Sequence, residues 1–471
     1  MYACPNCGGG LRFDISSQKL KCDYCDSDHD PYDITKEKDA GVETGEYGVT
    51  IFTCPQCGGE VMTTDESITG FCTFCGASTV LDARMSKEKR PAKIITFKKT
   101  KEDCKNIYKK MAGKALFAPR ELKDPEYLEK FRGIYIPYWV YDISYDETVK
   151  AAGVTTSTGL NSITTNYYDV YCGVDAEYTG VSYDASASFD DHISETIAPF
   201  NTANMQEFTP SFLSGFYADT ADVDKNLYRA DAVKAAQTDA AARLASFNGL
   251  RQYSVSHDAA RQALSGKERI NREVNEPQLG LFPVWFLSYR TKKDRVAYAV
   301  VNAENGEISA DLPVSVGKYV LFSLIMAAPI FALLAFLFTL TPGWTLGLTA
   351  ALAVISLIVY AKEISELKKR HLKYDDKGFY EKYGPKQDKE ELKKIAPARG
   401  ALGSIAAIAI VLIVLRINPV DDFYFYAAAI AAIIGVCLTM SAIIRRYNIL
   451  MTRPSPKFYE RKGGNDSAKD N

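Results

Sequence analysis

"CPNCGG" occupies residues 4–9 and "CPQCGG" residues 54–59, and each is completed downstream by a second pair, "CDYC" at 22–25 and "CTFC" at 72–75. A shift of fifty residues superposes the two units ligand on ligand: Cys4 on Cys54, Cys7 on Cys57, Cys22 on Cys72, Cys25 on Cys75. Both keep fourteen residues between the pairs. Two facing C-x-x-C turns supply four thiolates at tetrahedral angles, and this spacing is that of a zinc ribbon. Gly8, Gly9, Gly58 and Gly59 let the backbone turn tightly beneath a metal. The reading is therefore two structural Zn²⁺ ions, each with all four positions filled and none open to water or substrate. A thioredoxin-type dithiol would need one such pair on a βαβ pattern. His29 reads as an exposed loop residue, because four cysteines already complete its neighbouring site.

Around this device, 471 residues suggest about three domains. No apolar run precedes the first cysteine pair, so no export signal is expected, and the cysteines read as ligands in a reducing compartment. The net charge of −2 excludes a uniformly polybasic chain. Residues 1–80 hold five Lys+Arg against thirteen Asp+Glu. That sign suits a basic protein surface better than a phosphate backbone. Ser86–Lys114 reverses it, with eleven bases and three acids. Ile107, Met111 and Leu116 in that segment have helical spacing, so it reads as a solvated helix face, or as a surface for anionic lipid, an acidic partner or the acidic ribbons.

The last third is apolar. Tyr319–Leu340, Thr345–Ala361, Ala401–Leu415 and Phe423–Ile444 are the candidate spans, the third at the short end of the roughly 17–25 residues that cross a bilayer. They read as two transmembrane hairpins. Lys362–Arg399 holds twelve Lys+Arg, and Arg445 and Arg446 open the tail, which places both termini in the cytoplasm by the positive-inside rule. The spans carry no interior charge, which argues against transport. Pro329 is expected to kink the first, and Ala427–Ala432 with Gly435 gives the fourth a small-residue packing face.

Between ribbons and spans, "IYIPYWVYDISY" (134–145) and "GLFPVWFLSYR" (280–290) read as core strands anchored by Trp139 and Trp285, with a hairpin turn at Asn305–Gly306. Thr/Tyr-rich strands over 148–183 and an alanine-rich helix over 226–247 complete an α+β domain. The fold class expected is multidomain: two small β zinc ribbons, an α+β middle domain and four transmembrane helices. Its boundaries are ribbon 1 at 1–32, linker 33–50, ribbon 2 at 51–82, α+β domain 83–315, hairpin 316–361, charged loop 362–399, hairpin 400–446 and tail 447–471. Four scattered histidines, no H-E-x-x-H, no G-x-S-x-G and no complete phosphate loop leave no catalytic residue to name. "DDH" at 190–192 reads as a polar loop.

Tandem "CPxCGG" ribbons with "FAPREL" (117–122), "GIYIPYWVYD" (133–142), "FTPSFLSGFYAD" (208–219), "LFPVWFLSYR" (281–290) and "NGEISADLP" (305–313) resemble the bacterial membrane-anchored, TFIIB-type zinc-ribbon proteins over about residues 1–340. Members sometimes carry the labels primosomal protein or replication restart helicase, borrowed from the ribbon alone. One branch is linked to envelope stress, where it helps tether phage-shock-protein-A-like and SPFH proteins at the membrane. The resemblance implies zinc ligation by the eight cysteines and no catalytic residue. The expectation is a non-enzymatic adaptor in the cytoplasmic membrane that recruits cytosolic proteins. The alternative is a membrane-tethered nucleic-acid-binding or transcription- or replication-linked protein, using Lys98, Lys99, Lys109 and Lys110.

Overall fold

The chain opens on a three-stranded antiparallel sheet, β1 (Leu11–Asp14), β2 (Lys19–Cys22) and β3 (Asp28–His29), followed by helix α1 (Pro31–Lys38). Leu11, Phe13, Leu20 and Cys22 alternate inward while Arg12, Lys19 and Lys21 face water, the period of a half-buried strand. The computed structural model describes residues 2–38, 46–63, 72–77, 82–186, 189–270, 276–291, 295–337, 341–373 and 398–456. Most of the expected charged loop and the end of the tail lie outside them. The first ribbon is docked on the body behind it. Phe13 meets Phe212 edge-on at 5.5 Å between ring centroids, and Tyr32 does the same. Such pairs add about 0.5–1.5 kcal/mol each beyond the area they bury. Gln18 donates to the Phe97 carbonyl at 2.8 Å and accepts from the Thr96 hydroxyl at 2.6 Å.

The second ribbon is built from β4 (Glu46–Thr53), β5 (Glu60–Thr63) and β6 (Asp82–Lys89), all antiparallel. Met62 on β5 pairs with Ala218 in the main sheet. This ribbon is thus one corner of a thirteen-stranded sheet, and no break between separate bodies falls at 82/83. Nor is 33–50 a plain linker: it holds most of α1 and half of β4, where Tyr47, Val49 and Ile51 alternate into the core.

The body continues through β7 (Lys93–Ile94), α2 (Lys101–Lys114), α3 (Pro125–Leu128), β8 (Arg132–Thr158), β9 (Ile163–Asp184), α4 (Asp191–Ile197), β10 (Gln206–Glu207), β11 (Tyr217–Ala218), α5 (Arg229–Ser246), α6 (His257–Leu264), β12 (Arg269–Ile270), β13 (Gln278–Arg290), β14 (Arg295–Asn302) and β15 (Ile308–Ala310). The two aromatic strings become neighbours: β8 and β13 run antiparallel with Pro137 opposite Leu281 and Pro283 opposite Tyr135. Proline removes a backbone donor, but each proline carbonyl is used, accepting from Ala185 at 2.8 Å and Ala303 at 3.0 Å. Both tryptophans are core anchors, Trp139 donating to the Val223 carbonyl and Trp285 to the Lys99 carbonyl, each at 2.9 Å. Ala232, Ala236 and Ala240, spaced four apart on one helix face, bring α5 close against the inner face of β8. The Asn305–Gly306 turn stands between β14 and β15, with Gly306 at φ 88°.

Four apolar helices follow: α7 (Val316–Leu337), α8 (Pro342–Lys373), α9 (Leu402–Ile417) and α10 (Asp422–Leu450). Two segments, Pro342–Glu366 of α8 and the whole of α10, are long and apolar enough to cross a membrane; the apolar stretches Val316–Ile330 and Leu402–Ile417 are shorter. α8, α9 and α10 share a core of Leu346, Ala353, Ala407, Val411, Ala428 and Ala432. Gly403 and Gly435 touch backbone to backbone, so a Cβ on Gly435 would stand 2.4 Å from the Gly403 oxygen. Ser356 and Ser404 share a 2.6 Å hydrogen bond beside that contact. α7, which contains Pro329, lies outside this core, with its described residues exposed from Val320 on.

The chain returns to the body after α10. β16 (Arg453–Pro454) pairs with β14, and Asn448 exchanges two hydrogen bonds with the backbone of Val314, just before α7. Arg453 bonds Asp190 at 2.9 Å and also Asp311. Two carboxylates share one guanidinium, and they respond oppositely. Burial raises Asp190, yet Arg453 outweighs it and leaves the carboxyl below its usual value. At Asp311 burial wins over Arg453 and pushes the carboxyl up.

Two outcomes follow from this packing. Gly435→Val should separate α9 from α10 and cost about 1–3 kcal/mol, the range for overpacking, read as a lower unfolding midpoint in detergent. Arg453→Ala strands two acids and should cost about 3 kcal/mol. Because the Asp190 carboxyl is depressed, its share of the stability is complete above the ordinary aspartate range and is lost as pH falls below it. The gap between wild type and Arg453→Ala in denaturant should therefore shrink on going from pH 7 to strongly acidic buffer.

Candidate metal centres

All four cysteine pairs ride on one backbone turn. The first cysteine donates its N–H to the carbonyl five residues on: Cys4 to Gly9 at 2.7 Å, Cys22 to Ser27 at 3.0 Å, Cys54 to Gly59 at 2.9 Å, Cys72 to Ala77 at 2.8 Å. The residue four positions on returns the bond to the cysteine carbonyl and turns left-handed, at φ 74° for Gly8, 55° for Asp26, 71° for Gly58 and 70° for Gly76. Glycine tolerates that region freely, and aspartate is among the few others that enter it. Gly9 serves differently: a Cβ there would lie 3.2 Å from the Cys22 sulfur and 3.3 Å from that of Cys7. Backbone N–H groups of Gly9, Tyr24 and Gly59 aim at Cys7, Cys22 and Cys57 sulfurs, each at 3.4 Å.

These turns gather the sulfurs as expected. Cys4 lies 3.7 Å from Cys25 and Cys7 3.5 Å from Cys22; in the second group Cys54 lies 3.9 Å from Cys75 and Cys57 3.7 Å from Cys72. Within each group all four sulfurs fall within 4.8 Å of one another. Four sulfurs about 2.3 Å from a common centre at tetrahedral angles stand about 3.8 Å apart, so both groups fit a single four-coordinate ion. Four thiolates cannot crowd together without a cation to balance them. Left to themselves they divide protons: hydrogen bonding from Cys57 lowers Cys54, and the same contact raises Cys57.

The two centres differ in shelter. All four cysteines of the second are buried, walled by Phe52, Val61, Phe74 and Ala77, with Phe74 edge-on to Phe286 at 6.1 Å. In the first, Cys7 and Cys25 are exposed, and Tyr24 between the ligands is 87% exposed. The loop reading of His29 is corrected here. It sits in β3 opposite Leu20, its Nε2 3.4 Å from the Cys4 sulfur and 2.8 Å from the Ser27 hydroxyl. The reason is register: once β3 pairs with β2, its side chain faces back toward the ligands. Ser27 also bonds Cys25 at 3.1 Å, and its hydroxyl leads in bringing the Cys4 thiol down to about 5. Nothing in sequence spacing marks Ser27, because its role exists only after the second turn has closed.

"DDH" is not a third centre. Asp190 caps α4 by accepting from the His192 and Ile193 amides and pairs with Arg453. The basic segment is committed to the body in part, while Lys109, Lys110 and Lys114 stay exposed. Lys98 bonds the buried Glu304 at 3.1 Å, and Lys101 bonds Glu129, also at 3.1 Å. Lys105 is held above its usual value by Glu102 and then Glu129.

No family model matches the chain, and no solved structure does. The chain is similar to YdjG of Bacillus subtilis (strain 168), an uncharacterized protein: 24% identity over 322 residues, covering 67% of this chain and 91% of YdjG. That alignment spans most of YdjG and leaves about a third of this chain beyond it.

Elemental analysis of purified protein should give two metal ions per chain, falling to one in Cys25→Ser and in Cys57→Ser. Thermal stability should then distinguish the variants. Loss of the sheltered centre undoes a corner of the main sheet, so Cys57→Ser should lower the melting temperature more than Cys25→Ser. Protons compete for the thiolates, so metal retention should fall as pH is lowered, read with a chelating dye.

Proposed function

We propose that the chain is a non-enzymatic zinc-binding adaptor that holds cytosolic protein partners at the cytoplasmic membrane. Two thiolate sets with tetrahedral spacing in a reducing compartment suit Zn²⁺, and four filled positions give the ion a structural role. The observation that carries the reading is the contrast between the centres. One is buried as a corner of the sheet; the other thrusts Tyr24 outward, flanked by Asp23 and Asp26 on a turn that a metal would make rigid. An exposed aromatic on a fixed backbone is the kind of anchor protein interfaces favour.

Membrane attachment is supported by the two long apolar helices. In our reading α7 and α9 also span, giving two hairpins with both termini cytoplasmic. The ends support this: Asn448 holds the exit of α10 beside the entry of α7, and a Cβ on Gly400, just before α9, would crowd Tyr360 in the second half of α8. Of the four lysines that the nucleic-acid alternative would use, Lys98 is engaged by Glu304, and the acidic balance of residues 1–80 disfavours a phosphate backbone beside the ribbons.

Candidate partners are the phage-shock-protein-A-like and SPFH classes that the family resemblance suggests. Full-length protein in lipid vesicles should carry a purified partner of either class to the floated fraction, and Tyr24→Ala with Asp23→Lys should weaken this about tenfold. Failure of wild type to recruit either class, at partner concentrations well above micromolar, would sink this reading.

A further inference from the structure

The β8–β9 hairpin outgrows the body that supports it. β8 is 27 residues long, up to ~90 Å if straight at about 3.3 Å per residue. Helices α5 and α6 cover only its basal region, where Val149, Ala151 and Val170 are the last buried apolar positions. From Thr156 through Asp169 every residue is exposed. Leu160 at the turn is fully exposed, and Ile163, Tyr167 and Tyr171 are 72%, 80% and 66% exposed. β9 pairs with β8 alone among the described residues, so its outer backbone edge is open.

Natural edge strands are blunted by charge, proline or brevity. Residues 151–168 contain no charged residue and no proline. The charges begin below: six acids against Lys150 alone over 143–184, with Lys150 already bonded to Asp169 at 2.9 Å. Tyr171, Asp175, Glu177 and Thr179 follow one another on the exposed face of β9, and Asp175 and Glu177 make no ion pair among the described residues. The edge thus has a polarity, neutral and aromatic at the tip and acidic toward the base.

Two occupants are disfavoured by geometry. Arg132, where β8 begins, lies opposite Phe286 near the end of β13, the end that leads through β14 to β16 and α10. β8 therefore runs away from the apolar helices, and its tip points away from a bilayer that holds them. A second copy in the same membrane would stand in the same orientation and bring Asp175 and Glu177 beside their own equivalents, which repel.

We infer that the outer edge of β9 is a docking site for an extended segment of a partner protein, added antiparallel as a further strand, basic at its N-terminal end and uncharged at its C-terminal end. Main-chain bonds along 165–179 would supply affinity, and the acids would set direction and register. The inference rests on the adaptor reading only for the expectation that a partner protein exists.

The probe is a nine-residue peptide alternating Lys with Val in its first half and Thr with Val in its second, titrated by fluorescence anisotropy onto full-length protein in detergent. Two comparison peptides replace Lys by Glu or N-methylate alternate backbone amides. The Lys peptide should bind and slow hydrogen exchange across 165–179. N-methylation should cost about tenfold. The exposed double change Asp175→Lys, Glu177→Lys should weaken the Lys peptide about tenfold and favour the Glu peptide, with an unchanged melting temperature. No binding, binding indifferent to N-methylation or to the charge reversal, or self-association of wild type through the hairpin in light scattering would each overturn the inference. Because this assay uses purified protein and peptide, hairpin binding with failed vesicle recruitment would fault the adaptor reading, and the converse would fault only the hairpin.

Discussion

Strand β8 is the member on which the rest of the structure depends. Its first half is hydrogen-bonded on both sides, to β13 over nine residue pairs and to β11 at Ile134 and Tyr135. From Tyr138 onward it carries β9 and, at Ile143 and Ser144, β12. A strand satisfied on both edges cannot slip by one residue without turning every aromatic to the wrong face. Tyr135, Tyr141 and Tyr145, all fully buried, hold that register on one side.

From that spine two attachments follow. Toward the ribbons, β11 passes the sheet on to β5 through Ala218 and Met62, so the second metal centre lies in the path of the sheet. Toward the helices, β13 leads to β14, and β14 receives β16 from the end of α10. The Arg453 guanidinium closes this second joint by bridging Asp190 and Asp311. The second cysteine group and the apolar helices are thus tied to one sheet through β8.

The ligand sets were legible because a C-x-x-C turn is local: its geometry is closed by bonds between residues four and five apart, which spacing alone specifies. Trp139, Trp285 and the Asn305–Gly306 turn were legible for the same reason, each lying in a short run with a strong pattern. His29 and Ser27 were not, since their approach to Cys4 depends on β3 pairing with β2. The joining of the second ribbon's strands to the main sheet through Met62 and Ala218 was not legible either. A ribbon's internal spacing is the same whether its outer strand ends in water or continues into another sheet.

By itself, the sequence determined the eight thiolates and their pairing into two four-sulfur sets, the aromatic core strands and the apolar character of the last third. These are properties of composition and short-range periodicity. Tertiary structure alone decided that one centre is sheltered and the other exposed, that α7 stands apart from the α8, α9 and α10 core, and that the β8–β9 hairpin runs on past its support. Those outcomes depend on what comes to lie beside a residue from hundreds of positions away. Burial and free edges are defined by such neighbours, which no local pattern encodes.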